Sequence, residues 1–312
     1  MKYFWVVCLA SVTMVSLSHA EPEEEISVNR TWVDSSRDYA RESADAFALW
    51  FDGFFGDQRY DEDSPYSSLR LSIENDWVES EGNDGRVRLR GRLYLPQFNE
   101  KLSVVFSDEE DVDLVNNNLS NEGREEDTNL DLQFTNDQQK NHRIDYRLGL
   151  RSSFKGRASV RYRYNYIFFD SYLGRLSQRV QFIDGDGFES RTRVDIERSI
   201  DEKKLLRWSN QVEIAEEVDG VEWVSTIQRI KRISSSRAIS YFLSVNGETR
   251  PDYLVTSYGF GLRYRQSIFR PWLFIEVDPA LAWVKDEKSD DREPQASLDI
   301  KLEIFFDDRT IN

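Results

Sequence analysis

The sequence predicts an all-β fold: an antiparallel transmembrane β-barrel of about 12–14 strands, preceded by a short N-terminal amphipathic helix. Three observations predict it. Between residues 69 and 306, apolar and polar residues alternate with a period of two, so each strand carries one oily and one ionic face. The alternating runs are long, many reaching the roughly 9–11 residues with which a tilted strand crosses a bilayer. Tyrosine is heavily used on the apolar face, at Tyr146, Tyr162, Tyr164, Tyr166, Tyr258 and Tyr264. A dry core would have to find each hydroxyl a partner, whereas a membrane–water interface would not.

The chain opens with "MKYFWVVCLASVTMVSLSHA". Lys2, the apolar run Tyr3–Leu17 and the small-x-small end Ser18-His19-Ala20 have the pattern of a secretory signal peptide, residues 1–20. The run falls short of the ~20 residues a spanning helix needs. Cys8 sits inside it rather than just after it, which argues against a lipoprotein. The remaining chain would hold no cysteine and a single histidine, His142. Disulfides are then excluded, as is a His/Cys zinc site with its three or four ligands. No cofactor or metal is expected. With 41 basic and 57 acidic residues, the net charge of −16 suits no nucleic-acid partner. The mean hydropathy of −0.63 hides a barrel, because only alternate residues of each strand face lipid.

Residues 21–68 form an N-terminal polar segment, a helix and a linker. The helix is predicted over 34–57, where Ser35 and Asp38 resemble a capping box and Ala40, Ala44, Phe47, Phe51 and Phe54 recur at helical spacing. Ala48, Trp50 and Phe55 widen its stripe. A stripe this oily predicts a plug or cap at the periplasmic mouth; the inner leaflet surface and a periplasmic partner are its other expected occupants.

Strands are predicted at 69–79, 86–96, 101–107, 128–137, 141–154, 157–169, 174–183, 187–199, 204–216, 221–233, 237–246, 253–267, 271–284 and 295–306, followed by a tail at 307–312. Several alternate cleanly. In 86–95, Val87, Leu89, Leu93 and Leu95 oppose Arg86, Arg88, Arg90 and Arg92. Strands 174–183 and 221–233 alternate imperfectly, as bulges would produce. If the first strand rises from the periplasm, the long polar connections are expected on the outward side, at 80–85, 108–129, 183–187, 217–220, 246–252 and 285–294. Short turns then lie inward.

The final strand, "SLDIKLEIFF", places Leu298, Ile300, Leu302, Ile304 and Phe306 on one face. With the leader and the alternating strands, it resembles the C-terminal signal strand of Gram-negative outer-membrane β-barrel proteins. That resemblance implies location in the outer membrane, contact with outer-membrane lipid and lipopolysaccharide, and recognition by the barrel assembly machinery. The tail "DDRTIN" after Phe306 departs from a terminus that usually ends at the aromatic.

On the polar face, a basic ladder is expected from Arg86, Arg88, Arg90 and Arg92 beside Arg143, Arg147, Arg161 and Arg163, with acidic partners Glu74, Asp76, Asp145, Asp195, Glu197, Asp299 and Glu303. Arginine rings favour anions in pores, but paired charge also serves simply to fill a lumen. The expected function is passive: a narrow or plugged channel, or a structural or assembly component, without enzymatic activity. A soluble periplasmic β-sheet protein that binds a ligand or partner is the second reading. The third is an outer-membrane lipid-modifying hydrolase, for which His142 is the sole candidate base.

Overall fold

The computed structural model describes residues 54–55, 67–95, 101–107, 128–139, 141–168, 172–250, 254–285 and 291–307. The expected signal peptide, most of the expected helix 34–57 and the connection 108–127 lie outside the described residues; Phe54 and Phe55 are helical.

Fourteen strands form one closed sheet. They are β1 (Ser68–Val78), β2 (Gly82–Tyr94), β3 (Leu102–Ser107), β4 (Asn129–Gln139), β5 (His142–Arg151), β6 (Gly156–Phe168), β7 (Tyr172–Ile183), β8 (Gly187–Asp201), β9 (Lys204–Ala215), β10 (Glu222–Ser234), β11 (Arg237–Glu248), β12 (Leu254–Ser267), β13 (Leu273–Lys285) and β14 (Arg292–Asp307). Each pairs antiparallel with its sequence neighbours, and β1 pairs with β14 from Ser68↔Asp307 to Val78↔Ser297 to close the barrel. Closure removes the two edges that an open sheet would leave unpaired.

The two faces are inverted relative to a water-soluble barrel. Val87 and Leu148 are 67% and 68% exposed on the outside. Inside, Arg265 and Asp278 are each 0% exposed. One closed sheet with this polarity is not the apolar-centred sandwich of the soluble alternative. Aromatic rings gather near both rims of the outer face. Tyr258 stacks on Trp283 at 5.6 Å toward one end. Toward the other, Tyr164, Tyr166, Phe168 and Tyr172 form a continuous stack.

Three expectations about strand ends and connections need correction. β2 begins at Gly82 rather than at 86, so the connection expected at 80–85 shrinks to 79–81. The turn-like "GNDG" stays in the ladder because β1 is long enough to pair it, with Asn83 opposite Trp77 and Gly85 opposite Asn75. Gly82, at φ 93°, makes the turn. The length asymmetry of the connections rests on one segment, 108–128; elsewhere tight turns occur at both ends, as at 184–186 and 202–203. Finally, β7 pairs without a bulge. Its broken alternation comes from Gln178, which faces outward and is satisfied there: Thr192 Oγ1 donates to its Oε1 at 2.5 Å, and its Nε2 donates to Ser190 Oγ at 3.0 Å. Register shifts occur in β10 between Arg232 and Ser234, and also in β4, β8 and β11.

The inner wall is not uniformly ionic. On β11–β13 the inward Phe242 fills the space over Gly261, with Ala280 and Ala282 beside it. A Cβ on Gly261 would lie 2.5 Å from Phe242 Cζ and 2.8 Å from the Pro279 carbonyl oxygen. Gly261→Ala is therefore expected to destabilise the barrel by about 1–3 kcal/mol through overpacking, read as a lower urea midpoint in detergent micelles.

Candidate functional site: the charged interior

Alternation sends every second residue inward, and antiparallel pairing aligns those residues in rows around the wall. One row reads Arg86, Glu74, Lys301, Glu276, Arg265 across β2, β1, β14, β13 and β12, with the sign of charge alternating at each step. Within it, Lys301 Nζ lies 3.2 Å from Glu74 and 3.8 Å from Glu276, and Arg265 Nη1 lies 3.1 Å from Glu276. The next inward row breaks the rule: Asp84, Asp76, Asp299 and Asp278 stand side by side. Arginines flank this acidic row. Arg86 pairs with Asp76 at one end, and Arg263 Nε donates to Asp278 Oδ2 at 2.5 Å at the other.

Glu303 illustrates how far the pairing reaches. It accepts from Arg70 Nη1 at 2.8 Å and from Arg265, two strands away. To get there the Arg265 guanidinium lies across the ring of Phe274, 4.4 Å from its centroid.

The second half of the wall has other hubs. Asp145 accepts from Arg143 Nε at 3.0 Å, Arg163 Nη2 at 2.5 Å, Gln133 Nε2 at 3.0 Å and Thr135 Oγ1 at 2.7 Å. Four donors converge on one carboxylate and link β4, β5 and β6. Glu197 lies 3.3 Å from Arg175 and 2.8 Å from Arg207. Asp195 accepts from Arg193 and from Ser209.

The remaining sequence-predicted residues fall as follows. Arg88 lies 3.2 Å from Glu74. Arg90 is half-buried, Arg92 is buried with its Nε donating to Ser103 Oγ at 3.0 Å, Arg147 Nε donates to Gln133 Oε1 at 2.9 Å, and Arg161 is buried. Leu298, Ile300, Leu302, Ile304 and Phe306 occupy the outward face of β14, the strand that closes the barrel. One expectation is corrected: the arginines of β2 do not lie beside those of β5 and β6. β3 and β4 intervene, because each hairpin packs next to its sequence neighbour. Acids from adjacent strands interleave with the arginines, so the wall is a mosaic of both signs.

Sequence reasoning passed over Glu276, Asp278 and Lys301, although "FIEVDPA" carries the two acids at alternate positions. It also passed over the apolar inward residues Leu205, Ile230, Ala238 and Phe274, which read in sequence as lapses in alternation. His142 lies at the start of β5 with Nδ1 2.6 Å from the Tyr162 hydroxyl and its ring against Tyr164, on the outward aromatic face.

Two charged contacts at the solvent-exposed rims, beyond the membrane, shift proton affinities. The Lys155 ammonium, in the β5–β6 turn, is raised by its hydrogen bond to Asp186. The Asp201 carboxyl, at the β8–β9 turn, is held below its ordinary value by Lys204 Nζ at 2.6 Å and by the Lys203 amide at 2.9 Å.

A closed antiparallel barrel that is apolar outside and ionic within has the architecture of the transmembrane β-barrel class. Solved structures similar to it include the KdgM porin in complex with disordered oligogalacturonate, at 8% identity and a TM-score of 0.39, covering 76% of this chain and 99% of that one. Others are an anion-selective porin from Comamonas acidovorans (8%, 77% and 98%, TM-score 0.45) and OccK11 of Pseudomonas aeruginosa (8%, 78% and 96%, TM-score 0.46). No protein-family model matches the chain, and no curated protein matches it.

Two outcomes follow from the contacts. Glu303→Gln leaves Arg70 and Arg265 short of a buried countercharge and should cost about 3–5 kcal/mol, measured as a shift of the unfolding midpoint in micelles. At the turns the signs are opposite. Lys155 contributes fully below its unfolded value of about 10.4, and loses that contribution as pH rises through the raised folded value. Asp201 contributes above about 3.9 and loses it as pH falls through the depressed value. The Lys203 amide resonance should therefore titrate with a midpoint below about 3.9; a midpoint at or above it contradicts the contact.

Proposed function

We propose that the chain is a non-enzymatic integral protein of a Gram-negative outer membrane, forming a narrow conduit whose bore is set by its own ion pairs. The single observation that carries this is the inversion of faces around a closed sheet. Exposed Val87, Leu148, Ile227 and Leu243 make a belt that only hydrocarbon would accept, while the buried polar side chains point to the enclosed interior. The predicted arginines and acids serve chiefly as structural filling: they lie paired and shielded rather than lined up as a free basic track. Outer-membrane lipid, lipopolysaccharide and the barrel assembly machinery are the partners this implies, with residues 69–306 as the membrane unit behind an exported leader. We read His142 as an interfacial aromatic neighbour rather than a general base, since it sits on the outward face among Tyr162 and Tyr164.

Membrane fractionation and heat-modifiable gel mobility test the location and the barrel together; recovery in the soluble periplasmic fraction would sink the proposal. In planar bilayers the expected single-channel conductance is small. His142→Ala should leave lipid composition unchanged, and altered lipid turnover would favour the hydrolase. Removing residues 298–306 takes away the strand that pairs with both β13 and β1, and should strand the chain in the periplasm.

A further inference from the structure

Leu205, Ile230 and Ala238 sit at one mouth of the barrel, beside the β8–β9 and β10–β11 turns, and they point inward. Apolar residues at an open mouth would be wet. These are 1%, 0% and 0% exposed, because Phe54 and Phe55 lie on them. Phe54 meets Phe55 edge-on at 5.5 Å and Phe274 edge-on at 5.6 Å. Phe274 is in turn the ring that Arg265 crosses on its way to Glu303. The contact therefore joins a segment preceding β1 to the inner wall of β9, β10, β11 and β13, strands that do not pair with β1.

We propose that Phe54 and Phe55 form a removable plug, seated in an aliphatic–aromatic socket inside the mouth and closing the conduit from that side. The socket is built for an apolar guest: the wall around it is ionic, yet four strands place aliphatic or aromatic side chains inward at this one level. Seating excludes water from the apolar wall and supports the Phe274–Arg265 stack. Unseating exposes that wall and opens a path beside β9–β11.

This inference rests on the conduit proposed above, so its test must separate the two. In a Cys8→Ser background, Ala238→Cys places the chain's only thiol on the socket floor. Heat-modifiable mobility first establishes that a barrel has formed; without it the conduit reading fails rather than the plug. In the folded protein, a hydrophilic maleimide is expected to label the Ala238→Cys site at least tenfold faster when Phe54→Ala and Phe55→Ala are added. Phe54→Leu with Phe55→Leu should keep it protected. Single-channel open time or conductance should rise in the double-alanine variant. Equal labelling rates with and without the two rings, or a conductance unaffected by their loss, overturns the proposal.

Discussion

Backbone amides inside hydrocarbon have no water to turn to, and closing β1 on β14 is what satisfies them. Everything else follows from that closure. Once the sheet is a cylinder, the period of two acquires an absolute meaning, since one set of alternate residues faces lipid and the other cannot escape the interior. The charged residues of this acidic chain are then forced together. They survive there because neighbouring strands supply the opposite sign, row by row, as in Arg86, Glu74, Lys301, Glu276 and Arg265. Burial of a lone charge would be prohibitive; along this row it costs far less, because Glu74, Lys301 and Glu276 each have an opposite charge on both sides. The row of Asp84, Asp76, Asp299 and Asp278 departs from that rule.

The lattice also rigidifies. Asp145 draws donors from β4, β5 and β6, and Glu303 draws from β1 and β12. Such links run across the wall and supplement the ladder hydrogen bonds with contacts that a slip in register would break. A shift of two residues between β1 and β14 would keep every oily side chain outside. It would also set Asp76 opposite Lys301 and Glu74 opposite Glu303, exchanging the like-charge neighbours Asp76 and Asp299 for another such pair, but it would part Arg70 from Glu303. Hydrophobicity thus chooses the face, and the specific links that Glu303 and Asp145 make across the wall tie the register.

That division explains how much the sequence disclosed. All of the strands in β1–β14 overlap runs of alternation that are visible in the chain, because facing is a local property of residues i and i+2. Turn chemistry misled at "GNDG", where a long partner strand kept turn-formers in the ladder. Pairing was not legible. That Arg88 meets Glu74 depends on where the hairpin turns, and that Arg265 meets Glu303 depends on a neighbour of its neighbour. The apolar socket was hidden for a related reason: Ile230 is flanked by Arg229 and Lys231, so the local pattern assigns the oily residue to lipid when it in fact faces inward.

Ile230 and its companions show where the simple two-faced rule has to fail. A wall that was ionic at every inward position would leave nothing for an oily segment to hold. The inward faces of β9–β13 depart from it with Leu205, Ile230, Ala238 and Phe274 at the mouth, then with Phe242, Ala280 and Ala282 over Gly261. Apart from Phe274, which lies under the Arg265 guanidinium, these residues gain nothing from the charge lattice, and at the mouth they would be stranded against water if left bare. Phe54 and Phe55 answer that deficit: two rings from outside the sheet complete a small core that fourteen strands alone cannot close. The barrel's interior is therefore two materials, a polar lattice that fixes the cylinder and an apolar recess that Phe54 and Phe55 fill, and only the second draws on residues from outside the sheet.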